Sequence, residues 1–192
     1  MKQLASYLAG LALIAGATGS AHALTAAELQ RLLAPAVLPA VTFTEVRESP
    51  WLATPVESRG SMHNLSPCLE KRVLSPKQET WRLCPDRMEW AGPGGGTPRQ
   101  MPFTRAPALA VLANAMRSIV AGDLLALEPD FTIAPQGDAE RWTVQLQPKD
   151  AAAARSVDHI ELQGSGGRLS TVIVLERGGE RTTTRFGASP AN

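Results

Sequence analysis

The chain has 192 residues, with 19 Lys and Arg against 18 Asp and Glu, a formal net charge of +1, and hydrophobic residues at 44%. This near-neutral balance has no run of Lys or Arg and no interleaved aromatic patch, so no phosphate-tracking surface and no nucleic-acid partner are expected. Two cysteines, an even pair, favour a disulfide over a metal or redox site if the protein is exported.

Export is what the first 23 residues predict. Lys2 opens a short basic start, an apolar run follows from Leu4 to Ala17, and Ala21-His22-Ala23 forms a small-residue cleavage site. Gly16, Gly19 and Ser20 interrupt the run well short of the ~20 apolar residues that span a bilayer. Leu24 follows the expected cut in place of a cysteine that could be acylated, so the mature chain is expected to be soluble and untethered. About 169 residues then remain, enough for one domain that buries about 70% of its unfolded surface. That domain is expected over 24–186, with a disordered tail at 187–192.

Thr25 and Glu28 form a capping box that opens a helix, with Leu29, Leu32, Leu33 and Val37 on one face and Pro35 and Pro39 limiting it to about three turns. From Val41 to Trp90 the hydrophobic period changes to two and Pro, Gly and Ser punctuate the segments, which predicts a β-meander. Within it, pairing about Pro76 sets Leu69 opposite Leu83, Glu70 opposite Arg82 and Cys68 opposite Cys84. Such opposed cysteines lie close enough to bridge, and closing the loop is worth roughly 3 kcal/mol.

Gly92 to Pro102 reads as a Gly- and Pro-rich loop. Its triplet Gly94, Gly95 and Gly96 lacks the Lys-Ser/Thr of a phosphate cradle and precedes Met101 and Pro102 instead of a helix. Pro107 opens the strongest helix, with Leu109, Leu112, Ala113, Met116 and Val120 on one stripe and Gly122 as its stop. Strands return at Phe131 to Pro135, Arg141 to Gln147, Val157 to Gln163, Arg168 to Arg177 and Glu180 to Phe186, with an alanine-rich helical turn at Lys149 to Arg155. In the strand from Arg168, Leu169, Ile173 and Leu175 are expected on one face and Val172 and Val174 on the other. The fold class predicted is mainly β with some α: a strongly curved antiparallel sheet of about eight strands, with helices plugging its concave side.

Reactive chemistry is not announced. His63 and His159 stand at polar positions in strands with no second His or Cys at metal-ligand spacing. Gly164-Ser165-Gly166 has no following helix and fits a hairpin turn better than a nucleophile elbow. Glu45, Glu57, Glu79 and Asp123 are spread without a pairing pattern. Binding is therefore expected over catalysis, with no cofactor and no metal.

Phe43-Thr44-Glu45 with Val46-Arg47 is followed by the stretch Pro55 to Met62, then Pro67-Cys68-Leu69-Glu70-Lys71, then Val73, Pro76, Glu79 and Arg87-Met88-Glu89-Trp90. The central helix, Gly122-Asp123, Phe131, the run Trp142 to Leu146 and Pro148 continue the series. In order and spacing, across most of the mature chain, these resemble the LolA/LolB-like family of outer-membrane lipoprotein carriers. The resemblance implies an unclosed β-barrel with a helical lid and a soluble periplasmic shuttle, in a Gram-negative-type cell, that shelters acyl chains between inner and outer membranes. Implied partners are an acylated lipoprotein or other lipid cargo, an inner-membrane donor and an outer-membrane acceptor, with only transient membrane contact and a monomeric chain.

Candidate lining residues under this resemblance are Phe43, Leu109, Leu112, Met116, Trp142, Val144, Leu146 and Ile173, each of which ordinary core packing also explains. The family's outer-membrane receptor is itself anchored through a cysteine at the cut, so Leu24 points to the free shuttle. Well-studied carriers place an arginine just before the proline matching Pro67, where it holds the lid closed; here that residue is Ser66. The latch is unassigned, and forms of the family found beside lipid and pigment biosynthesis enzymes leave the cargo open. A lipid-sensing module with the same fold and an acyl-transfer enzyme are the competing readings.

Overall fold

The computed structural model describes residues 24–33 and 40–187. The expected signal peptide, the end of the first predicted helix and all but the first residue of the predicted tail lie outside them. Helix α1 (Ala26–Leu33) starts as the capping box requires: Thr25 Oγ1 accepts from the Glu28 amide at 3.2 Å, and Glu28 Oε2 accepts from the Thr25 amide at 2.8 Å. Its described length is eight residues.

Among the described residues eleven strands follow: β1 (Ala40–Glu48), β2 (Val56–Leu65), β3 (Cys68–Ser75), β4 (Glu79–Leu83), β5 (Arg87–Ala91), β6 (Arg99–Pro102), β7 (Phe131–Gly137), β8 (Trp142–Pro148), β9 (Val157–Ser165), β10 (Arg168–Glu176) and β11 (Arg181–Phe186). They form one sheet in the order β6-β5-β4-β3-β2-β1-β11-β10-β9-β8-β7. All the pairings are antiparallel, and the edge strands β6 and β7 do not pair with each other. The expected unclosed barrel is thus present. Arg99–Pro102 corrects the reading of 92–102 as loop throughout, since Arg99 and Met101 pair with Trp90 and Met88.

The hairpin register is as the sequence predicts, with Leu69 opposite Leu83 and Glu70 opposite Arg82. Cys68 and Cys84 form the disulfide at its end, with Cα atoms 4.3 Å apart.

Helix α2 (Pro107–Val120) connects the two halves of the sheet in sequence. Gly122, at φ 69°, ends it: its amide bonds the Ile119 carbonyl at 3.1 Å, and the Asp123 amide bonds the Ser118 carbonyl at 2.9 Å. This is a Schellman closure, in which a left-handed residue suits glycine. Helix α3 (Ala151–Ser156) is capped by Asp150, whose carboxylate accepts from the amides of Ala152 and Ala153.

Helices α1 and α2 pack on one face of the sheet, called inner below. Gln30 ties them together. Its Nε2 donates to the Gly122 carbonyl at 2.9 Å, and its Oε1 accepts from the amides of Leu124 (2.6 Å) and Leu125 (3.2 Å). One polar side chain thereby satisfies three backbone groups just beyond the end of α2.

In β10 the predicted faces need one correction. Leu169 is opposite Gly164 but Thr171 is opposite Gln163, so Ser170 is an extra residue. This bulge shifts the alternation, and Leu169 packs with Val172 and Val174 on the inner face, away from Ile173.

Candidate functional site

The inner face carries two apolar clusters. The first joins Leu29 and Leu33 of α1, Ala115 and Ile119 of α2, and Trp142, Val144, Leu146, Ile160, Leu162 and Val172 of the sheet. The second is Phe43, Met62 and Leu69, on β1 to β3. Met116 of α2 and Phe186 of β11 pack against both, so α2 lies over the line between them.

This places the predicted lining residues unequally. Trp142, Val144 and Leu146 are fully buried on β8, and Leu112 and Met116 reach them from α2. Phe43 lies in the second cluster, joined to the first through Met116. Leu109 is half-buried and belongs to neither cluster. Ile173 is buried, but on the outer face, where it lines a groove of about 330 Å³ together with Val46, Thr183, Arg181, Arg185 and Glu48. The charged walls of that groove do not suit an acyl chain.

Of the stripe predicted on α2, Ala113 is buried and Leu112, Met116 and Val120 pack against the clusters, whereas Leu109 does neither, and Ala115 and Ile119 are buried in addition. Small residues let a helix approach the sheet closely, and a helix that contacts apolar surface on two sides has no single apolar stripe to read.

The inner face is not wholly apolar. Lys71 Nζ reaches both Glu45 oxygens at 2.7 Å, Thr184 Oγ1 donates to Glu45 Oε2 at 2.9 Å, and the ammonium stands 4.9 Å from the Phe43 ring centre. About a fifth of each charged side chain is exposed. This pair escaped the sequence reading, although the alternation Leu69, Lys71, Val73 already puts the lysine among inward positions.

The outer face of the same strands holds a charge network. Glu70, only 3% exposed, accepts from Arg72 Nε at 2.6 Å and Arg82 Nη2 at 2.8 Å. Burial pushes its carboxyl up, but the bonds from Arg82 and Arg72 outweigh this and hold it below the ordinary carboxylate value. Ser61 Oγ and His63 Nε2 lie 2.9 Å apart nearby. Glu70, opposite His63 across the strands, has both oxygens engaged by arginines and does not orient the imidazole. His159 Nδ1 contacts Asp158 at 2.8 Å, and burial with the Glu180 charge raises the Glu176 carboxyl. Among the described residues no group of three His, Cys, Asp or Glu could hold a metal ion.

The family model described as outer membrane lipoprotein carrier protein LolA-like matches residues 17–192. The chain belongs to the LolA-like family. No curated protein matches it significantly. Among solved structures, this LolA-like chain is similar to a LolA superfamily protein of Nitrosomonas europaea, with 10% identity, TM-score 0.46, and coverage of 88% of this chain and 94% of that one. It is similar also to lipoprotein LppX of Mycobacterium tuberculosis, with 11% identity, TM-score 0.43 and coverage of 88% and 99%. A third is LprF of Mycobacterium bovis, with 11% identity, TM-score 0.37 and coverage of 86% and 93%.

In this LolA-like protein the turn at Ser66 and Pro67 is met from the helix side. Arg117 Nη1 of α2 donates to the Pro67 carbonyl at 3.2 Å, while its Nε is buried without a partner. The guanidinium thus joins helix and turn where the sequence reading found only a serine. Among the described residues no helix is long and apolar enough to cross a membrane.

Proposed function

We propose that this chain is a soluble periplasmic carrier that shelters the acyl chains of a lipoprotein or another lipid on the inner face of its sheet and moves them between inner and outer membranes. The observation that supports this reading is the position of α2 across two apolar clusters of an unclosed sheet, with Met116 packed against both. Each CH₂ of an acyl chain left in water costs about 0.8 kcal/mol. A carrier therefore needs apolar surface that is covered when empty and reachable when loaded.

Here α2 is such a cover. Its side chains supply the contacts that a guest would replace, so cargo and helix compete for the same wall and the exchange of apolar contacts keeps binding reversible. On this reading Phe43, Leu112, Met116, Trp142, Val144 and Leu146 form the acyl wall. Leu109 belongs to neither cluster, and Ile173 lies on the other face. The disulfide Cys68–Cys84 fits an oxidising compartment.

Gentle purification of the exported protein followed by native mass spectrometry tests the proposal. A co-purified acylated molecule, displaced by a long-chain probe, is the expected result. Failure to bind any long-chain probe would sink the reading.

A further inference from the structure

Beside the second apolar cluster, a row of inward side chains runs across five strands to the sheet edge. The register aligns Met62 of β2 with Lys71 of β3, Lys71 with Trp81 of β4, Trp81 with Trp90 of β5, and Trp90 with Arg99 of β6. The two indoles stand 6.0 Å apart between ring centres, tilted by 47°. Both of their N–H groups point to one oxygen: Glu79 Oε2 accepts from Trp81 Nε1 at 3.2 Å and from Trp90 Nε1 at 3.4 Å. The Arg99 guanidinium lies 5.5 Å from the Trp90 ring centre.

We infer that this row is a head-group subsite for an amphiphile whose head is a neutral hydroxylated ring, such as a glycosyl group. The inference rests on the carrier reading and names the class of cargo it would take. Continuity gives the location, because Met62 belongs to the apolar cluster that begins the row and the half-buried tryptophans continue it outward.

The chemistry gives the class. Glu79 spends Oε2 on the indoles, and its Oε1 remains an acceptor for a hydroxyl donor. Arg99, exposed and in ring contact only, keeps its N–H groups for hydroxyl acceptors. Lys71 is neutralised by Glu45 and adds no free positive charge. Among the described residues of this row, a phosphate head would meet the Glu79 carboxylate with Arg99 as the one cation not paired to a carboxylate. A ring with hydroxyls on its edge and C–H groups on its face satisfies carboxylate, guanidinium and indole together.

The test uses intrinsic tryptophan fluorescence of the purified protein with three probes of equal chain length, below micelle-forming concentration: decyl glucoside, decanol and decyl phosphate. The expected result is that the glucoside binds about tenfold more tightly than either other probe, as one added charge-assisted hydrogen bond allows. Glu79→Gln removes that preference while decanol binding stays, and Arg99→Ala reduces it. Equal affinity for all three chains, preference for the phosphate, or an unchanged preference in Glu79→Gln overturns the inference and leaves the carrier reading standing. Absence of binding by every probe overturns both.

Discussion

Trp142 and Gly164 face each other across β8 and β9, and the indole occupies the space that a β-carbon on residue 164 would need. The ring is fixed there by its Nε1, which donates to the Gly166 carbonyl at 2.8 Å. Gly164 therefore matters for its missing side chain, and Trp142 fills the gap that the glycine leaves in the sheet.

Gly164→Ala is expected to destabilise the protein by at least about 1–3 kcal/mol, since the new methyl overlaps the indole and the Arg168 carbonyl. Denaturant unfolding measures it. The cost should fall when the same change is made in a Trp142→Val background; an equal cost in both would show that the indole does not set it.

Gln30 gives a second prediction. Gln30→Glu keeps the acceptor for the Leu124 and Leu125 amides but loses the donor to Gly122, whereas Gln30→Ala loses all three bonds. A loss of about 1–3 kcal/mol is expected for alanine, from leaving part-buried backbone groups unpaired, and less for glutamate. Hydrogen exchange at Leu124 should quicken in alanine alone. Similar protection in both variants would contradict the clamp.

Arg117 tests the proposed displacement of α2 by cargo. Arg117→Ala removes the bond to the Pro67 carbonyl and also an unpaired buried Nε, so the two effects on stability oppose each other and the net change is expected within about 1 kcal/mol. Release of a bound fatty-acid probe should nevertheless accelerate several-fold, by stopped-flow fluorescence. Unchanged release at unchanged stability would remove Arg117 from the control of the cover.

Glu70 sets a pH dependence. Its folded carboxyl is held below the ordinary value of 4.5, so the ionised form favours folding and its contribution is complete above that pH. As pH falls below 4.5 toward the lowered folded value, that contribution is lost. Glu70→Gln should cost about 1–3 kcal/mol at neutral pH, because two half-exposed arginines lose a charged acceptor, and the gap to the parent should narrow in acid. A gap that stays constant down to pH 3 argues against the assignment.

Much of this structure was legible in local sequence. The hairpin about Pro76 could be aligned because Leu69, Glu70 and Cys68 each find a fitting partner in one register, and a single residue of slip would lose all three. Thr25 with Glu28, and Gly122 after α2, mark their helix ends by side-chain and backbone chemistry that needs no tertiary information. Strand β6 was hidden because Arg99 to Pro102 is short and ends in proline, and only its pairing with β5 makes it a strand. The side to which Leu169 points depends on the bulge at Ser170, which nothing in the strand's own alternation signals. The stripe read on α2 holds at Leu112, Ala113, Met116 and Val120; Leu109 falls outside both clusters, and Ala115 and Ile119 widen the buried face beyond what periodicity, which weights large side chains, marks. Of the candidate wall, Trp142, Val144 and Leu146 follow from period two alone; the partnership of Phe43 with them through Met116 needs the distant strands brought together.

The strand order has a consequence for how the chain assembles. Each neighbouring pair in the sheet joins strands consecutive in sequence except one, the seam between β1 and β11, from Phe43 with Phe186 to Glu48 with Arg181. Two meanders can thus form from local contacts, whereas the seam waits for the last strand and bears the entropy of closing the longest loop. A chain shortened before Arg181 would hold β1 and β10 as raw edges at the middle of the wall, each open to pairing with another molecule. The final six-residue strand is therefore the step that turns two adhesive half-sheets into one self-contained fold.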